Sequence, residues 1–427
     1  MKIYFLFTFL MFSFFAMRAQ ETMSPSPVQQ GPVALTNASI HVGNGQVISN
    51  GTILFVNGKI TAIGPSVSTT GAKVIDCSGK QIYPGLINAN TNLGLVEIQA
   101  VRSTLDYNEL GDINPNIHSY IAYNADSKII NTVRSNGILL VNVIPGGGII
   151  SGTSSVMQLD AWNWEDAIYR KDGGICFNMP NLIRLNETGD PTKTGMEKID
   201  QVRLFFRQAK AYFEEPKHIH TNLKFEAVRG LFDKTQTFFV NCELVKEMMV
   251  AVEFAKEFGF KTVIIGGTDS WRIIPFLKEL HIGVILNQMH SVPVIEDDFV
   301  DDYSRTPFLL QQAGIEYCIS DSDPMTRFRN LSYNAGVSVA FGLTREQALQ
   351  SITLSAAKIL GIADRTGSLE TGKDANIVVS DGDILDIKSS QVRYAFIQGR
   401  QIDLDNKQKQ LYRKYMKKYG LDDSAAN

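Results

Sequence analysis

Tyr83–Leu95 reads YPGLINANTNLGL, and the character of the chain changes inside this stretch. Before it, residues 36–82 run as short strand-like segments (ASIHV, QVISN, GTILFV, NGKITAIG, KVIDCSGKQIY). Turn signals at Asn57-Gly58 and Ser78-Gly79 separate them, the pattern of a small antiparallel β unit. From Pro84 onward, apolar runs alternate with longer helical stretches, which implies βα units on a parallel sheet. GLINAN is the first of these runs. Side chains i and i+2 share a face of a strand, so Asn88 and Asn90 are expected side by side at its end.

Seven further runs follow: ILLVNVI (138–144), SVMQLD (155–160), ICFNM (175–179), TFFVNC (237–242), TVIIGG (262–267), GVILNQ (283–288) and IEYCIS (315–320). They are rich in Ile, Val, Leu and Phe throughout, as strands buried on both faces must be. EKIDQVRLFFRQAKAYFEE and ELVKEMMVAVEFAKEF carry apolar residues at helical spacing. Eight parallel strands with helices between them make a TIM (β/α)8 barrel. The third unit is irregular, because no helical pattern follows SVMQLD. After a helical REQALQSITLSAAKILG, short strands return in GSLETGKDANIVVSDG and VRYAFIQGRQID. The two terminal β segments are expected to share one small β-sandwich beside the barrel.

The chain begins MKIYFLFTFLMFSFFAMRAQ. A basic residue, an apolar run shorter than a bilayer span needs and small residues before Gln20 predict a signal peptide over residues 1–19, and hence export to the periplasm or the extracellular space, with an uncleaved signal anchor as the alternative. Residues 20–35 are a Pro/Ser/Gln-rich linker. The units expected are then a composite β-sandwich of 36–83 with 366–405, a barrel over 84–365, and a basic C-terminal helix and tail over 406–427. That helix, QKQLYRKYMKKYG, is expected to pack Leu411, Tyr412, Tyr415, Met416 and Tyr419 on the body and to solvate its charges. Loss of residues 1–19 takes the net charge from −3 to −5, so nothing in the charge points to a nucleic-acid partner and none is expected. Beyond the leader no membrane segment is expected. Cys77, Cys176, Cys242 and Cys318 are widely spaced and form no C-x-x-C pair; buried thiols are expected, with disulfide pairing left open.

Three stretches together resemble the amidohydrolase superfamily, in particular its imidazolonepropionase-like branch. They are VNGKITAIG leading to VIDCSGKQIYPGLINANTNLGL, EEPKHIHTNLKFEAVRGL with EFAKEFGFKTVIIGGTDSW, and SDSDPMTRFRNLSYNAGVSVAFGLTREQALQSITLSAAKILGIADRTGSLETGKDANIVVSDGD. The resemblance runs from about residue 36 to about residue 415. It implies a distorted TIM barrel with a β-sandwich built from both chain ends, and hydrolysis of non-peptide C–N bonds, as in cyclic amides, on one or two divalent metals. In the family a His-x-His pair ends strand one, a carboxylated Lys or a Glu can end strand four, a His ends each of strands five and six, and an Asp ends strand eight. The metal lowers the pKa of a bound water and the carboxylate takes its proton.

By that resemblance the ligand positions are Asn88 and Asn90 on strand one, Asn178 on strand four, Asn241 on strand five and Gly266 or Gly267 on strand six, while Asp321 keeps the strand-eight carboxylate. A neutral amide offers only a carbonyl oxygen, which suits Ca²⁺ better than Zn²⁺. No resident metal is expected. His290, after strand seven, and Arg329, after strand eight, are candidate substrate-binding residues; the alternative for Arg329 is an ion pair with the acidic run EDDFVDD (296–302). His218-Ile219-His220 falls at a helix–helix junction, not at a strand end. The Gly-rich Pro145–Thr153 loop has no Lys after Gly152 and is not a P-loop.

Three functional readings stand open. The first is a catalytically impaired binding or partner subunit, taking a small polar ligand or forming a homo-oligomer or a hetero-oligomer with an active relative. The second is an active hydrolase with Asp321 as general base and an atypical or absent metal. The third is a non-catalytic Ca²⁺ site at the same strand ends.

Overall fold

The computed structural model describes residues 24–182, 191–287, 289–291, 298–322 and 325–421. The leader peptide, and Glu296 and Asp297 of the acidic run, lie outside the described residues.

Two sheets carry the fold. The first joins both ends of the chain: β1 (Val33–His41), β2 (Val47–Val56), β3 (Lys59–Gly64), β4 (Lys73–Asp76) and β5 (Gln81–Pro84) come before the barrel. The second is the barrel sheet: β6 (Leu86–Thr91), β7 (Ile138–Val143), β8 (Ile150–Gln158), β9 (Ile168–Asn178), β10 (Thr237–Cys242), β11 (Thr262–Gly266), β12 (Gly283–Leu286) and β13 (Tyr317–Ile319). β14 (Ile377–Ser380), β15 (Val392–Ile397) and β16 (Arg400–Gln401) then return to the first sheet, ordered β16-β15-β14-β5-β1-β2-β3 with β4 beside β1. Leu35, Ile53, Phe55, Ile377 and Phe396 fill its core. The barrel order is β13-β12-β11-β10-β9-β8-β7-β6. The architecture is the distorted TIM barrel with a β-sandwich expected from the sequence.

One strand differs from that expectation. β8 runs antiparallel to both β7 and β9. Only residues 144–149 separate β7 from β8, too short a link for the dozen or so residues that a parallel crossover needs. The Gly-rich loop is therefore a reversal, with Gly147 and Gly148 at positive φ. After the third strand, where the sequence shows no helical pattern, stands only a four-residue helical turn, Trp164–Ala167.

The helical layer follows the predicted periodicity. Ile199, Val202, Phe206 and Ala209 repeat at helical spacing along the helix Pro191–Glu214 and are all fully buried. Phe206 meets Phe238 and Phe260 edge-to-face, with ring centroids 5.5 and 5.2 Å apart. Inside the barrel, Ile87, Ala89, Leu140, Val156, Cys176, Phe239, Val263, Ile265, Ile285 and Cys318 close the interior, which is a packed core and not a channel. All four cysteines are free and buried.

The C-terminal helix Lys407–Tyr419 is capped by the Asn406 side chain at one end and left-handed Gly420 at the other. Its stripe does not pack on the body as expected: Leu411, Tyr412, Tyr415 and Tyr419 are exposed. Tyr415 and Tyr419 stack on each other with Lys418 above them, so the aromatic rings are partly covered by their own helix.

Among the polar ties that fix the β unit to the barrel are those at Asp160 and His41. Asp160, just past β8, is 2% exposed and receives Arg134 at 3.0 Å, Arg400 of β16 at 2.9 Å and the Ser26 N–H at 3.0 Å. His41 of β1 meets Glu346 of the barrel's helical layer at 2.6 Å and Gln81 at 2.9 Å. Burial pulls the His41 pKa down, but the hydrogen bonds to Glu346 and Gln81 and the Glu346 charge outweigh it, so the pKa stands above its ordinary 6.5.

Asp160→Ala removes the carboxylate that the buried Arg134 and Arg400 share, and urea unfolding is expected to show a loss of about 3–5 kcal/mol. The His41 tie contributes its stability below the unfolded-state pKa of about 6.5 and loses it as pH rises through the higher folded-state value. Thermal unfolding is therefore expected to show a stability step on the alkaline side of pH 6.5, and Glu346→Gln is expected to flatten it.

Candidate functional site: the barrel mouth

β6 and β13 are the two ends of the barrel's hydrogen-bonded order, and the Asn88 and Ser320 side chains join them. Asn88 is fully buried. Its Oδ1 accepts the Ser320 hydroxyl at 2.5 Å and the Asp321 N–H at 3.1 Å, and its Nδ2 donates to the Asp321 carbonyl at 2.8 Å. A carboxamide carries the same donor and acceptor as a peptide group, so Asn88 continues the ladder from its side chain. Ser320 Oγ also accepts the Asn90 N–H at 2.9 Å.

This corrects the expected face of strand one. Ile87 and Ala89 point into the barrel interior, so alternation turns Asn88 away from it and against Ser320 and Asp321. The register between β6 and β7 then shifts between Asn88 and Thr91. Past the shift, Asn90 is half-buried and its Nδ2 donates to Asn287 Oδ1 at 3.1 Å. The two asparagines do not open onto one site, because the irregularity breaks the i, i+2 relation between them.

Asn178 and Asn241 are partners in the parallel register of β9 and β10. Each lies two residues beyond an interior side chain, Cys176 and Phe239, so both stand over the barrel core at the C-terminal end. Asn178 Nδ2 donates to the Gly148 carbonyl at 3.2 Å, tying the Gly-rich loop to the mouth, while Asn241 is exposed. Gly266 sits at φ 94°, and a Cβ there would strike the Glu243 carboxylate. A side chain there would be strained at that φ and would have to displace the Glu243 carboxylate.

Asp321 is 2% exposed, and its Oδ2 accepts Asn334 Nδ2 at 3.0 Å. The carboxylate is thus covered at the strand end. His290 and Arg329 are exposed and line separate grooves, His290 with Ala340 and Leu385, Arg329 with Asn136 and Lys409; neither lining includes the mouth asparagines. His218 stacks on Tyr212 at 3.6 Å on the exterior. Asn142, Ser320, Asn287 and Asn334 were not singled out from the sequence. The recurrence of Asn at strand ends, in ILLVNVI and GVILNQ, was the available signal for Asn142 and Asn287; their partners, the Ala89 carbonyl and Asn90, lie far away in sequence.

Among the described residues no three His, Cys, Asp or Glu side chains converge as a metal-ligand group, and the mouth offers neutral amides. That donor set does not fit a zinc centre, which takes nitrogen, thiolate or carboxylate ligands at about 2.0–2.3 Å. Burial pushes the Cys176 thiol up to about 12, so it is no thiolate nucleophile near neutrality.

Residues 309–403 match the model described as the Amidohydrolase family. The chain is 20% identical over 384 residues to an amidohydrolase, TasK, of Hapsidospora irregularis; this match takes in 80% of the chain but 39% of that protein, so the chain spans under half of that relative's length. It is 22% identical over 369 residues to an imidazolonepropionase of Mesorhizobium japonicum, covering 78% of the chain and 87% of the relative. Among solved structures, that of an amidohydrolase from Thermotoga maritima superimposes with a TM-score of 0.78 at 24% identity, over 87% of this chain and 99% of that one.

Asn88→Ala removes its hydrogen bonds to the buried Asp321 N–H and carbonyl, at about 1–3 kcal/mol each. Urea unfolding is expected to show a loss of about 2–5 kcal/mol for this variant, against less than about 0.5 kcal/mol for the exposed Asn241→Ala.

Proposed function

The chain belongs to the amidohydrolase superfamily, on its imidazolonepropionase-like side, and from that premise we propose that it is an exported binding or partner subunit whose metal-dependent hydrolysis is impaired. The observation that carries this reading is the seam. Asn88, placed by resemblance at a metal-ligand position, is consumed as a strut against Asp321, and the Asp321 carboxylate is covered and held by Asn334. The mouth that remains is built from the amides of Asn90, Asn178 and Asn241, which offer donors and acceptors to a small polar ligand. Export rests on the apolar leader of residues 1–19. Pairing with an active relative, or with a second copy, is the partner arrangement proposed.

Retention of Asp321 favours a second reading, a hydrolase of C–N bonds with Asp321 as general base and asparagine N–H groups as oxyanion donors. Such a site forgoes the several kcal/mol of charge stabilisation that a Lewis acid supplies.

Metal content of the purified mature protein, measured together with turnover of cyclic amides, separates the two. Substoichiometric zinc, manganese and iron, with any residual turnover unchanged in Asp321→Asn, is the expected outcome. Stoichiometric metal with turnover abolished by Asp321→Asn overturns the first reading.

A further inference from the structure

Beside β10 and β11, on the outer side of the barrel and sharing no lining residue with the asparagine mouth, lies a small chamber. Glu243, just past β10, and Asp269, just past β11, reach it from the strand ends, and Asp298 and Asp302 reach it from the segment leading into the helix Asp302–Ala313. Four carboxylates thus surround a cavity of about 10 Å³, room for one water-sized group.

Arg272 meets these acids at graded distances: 2.8 Å to Asp298, 3.2 Å to Asp269 and 3.9 Å to Asp302. One guanidinium against four carboxylates leaves a local excess of negative charge. The best-covered acid is also the least satisfied. The Asp302 side chain is 8% exposed, and its Oδ2 has no hydrogen-bond partner, with Arg272 beyond hydrogen-bond reach. A buried carboxylate oxygen left in this state costs free energy that a ligand donor would recover. Burial raises the Glu243 pKa against the Thr268 hydrogen bonds, and the charges of Glu247 and Asp269 raise it further, as expected where anions outnumber their counter-ion.

We propose that this chamber binds the ammonium head of a primary aliphatic amine. The cavity size admits one –NH3⁺ group. Asp302 Oδ2 is an open acceptor, and Thr268 Oγ1, which donates to Glu243 Oε2 at 2.7 Å, keeps lone pairs of its own. A divalent ion demands several oxygens converging at chelating distance, and no such group of acids exists among the described residues, whereas an ammonium needs only acceptors around it. Leu244 and Phe299, the latter 67% exposed, also line the chamber and suit the alkyl portion of an amine. The site does not depend on whether the mouth carries a metal, so its test stands apart from that of the proposed function.

The test is calorimetric titration and thermal unfolding of the full chain with n-propylammonium, ammonium, tetramethylammonium and calcium chlorides at constant ionic strength. Saturable binding of n-propylammonium with a rise in Tm is expected. Tetramethylammonium, which has no N–H donors, is expected to do nothing. Affinity for ammonium alone is expected to be weaker, which identifies an amine with its alkyl part as the ligand class in preference to the free ion. Asp302→Asn and, separately, Glu243→Gln are expected to lower the n-propylammonium affinity at least tenfold. Equal responses to n-propylammonium and tetramethylammonium, calcium binding in place of amine binding, or undiminished amine affinity in both variants overturns the proposal.

Discussion

The carboxamide of Asn88 bonds both polar groups of the Asp321 peptide, and the mouth of the barrel depends on that pairing. A sheet rolled into a barrel must dispose of its two edges, since unpaired strand edges leave N–H and C=O groups without partners. Here β6 and β13 meet through a side chain and the Ser320 hydroxyl. The strand ends around the mouth are fixed relative to this seam. Asp321 is immobilised at its peptide by Asn88 and at its carboxylate by Asn334, and Asn90 is delivered to Asn287 just past it.

The same residue types serve structure and recognition in different places. Asn142, almost fully buried, donates to the Ala89 carbonyl and holds β7 to β6. Asn178 anchors the Gly-rich loop, and its ladder neighbour Asn241 faces solvent. Asn88 and Asn142, which join neighbouring strands, are buried, while Asn90, Asn178 and Asn241 at the mouth are half-buried or exposed. Glu243 makes the complementary point from the acidic side. Its carboxylate occupies the space that a side chain at 266 would need, so Gly266 and the acidic chamber are two faces of one packing arrangement.

Much of this was legible in the residues. Period-2 runs broken by Asn-Gly and Ser-Gly marked the β unit, and Val- and Ile-rich runs alternating with helical stretches marked the barrel. The direction of β8 was not legible, although the absence of a helical pattern after SVMQLD pointed to that unit; six linking residues admit only a reversal. Nor was the exposure of the C-terminal helix, whose aromatic stripe at helical spacing reads the same whether it meets the body or its own lysines.

The sequence by itself determined the fold class, the composite β unit and the strand ends at which the polar residues fall, because these follow from periodicity within single elements. Only the tertiary structure decided which asparagine braces and which one faces out, because a register shift within β6 breaks the alternation on which the spacing argument rests. It alone decided that Asp321 is covered and that Glu243, Asp269 and Asp302 share one chamber. Those contacts join residues tens to hundreds of positions apart, and no local spacing encodes them.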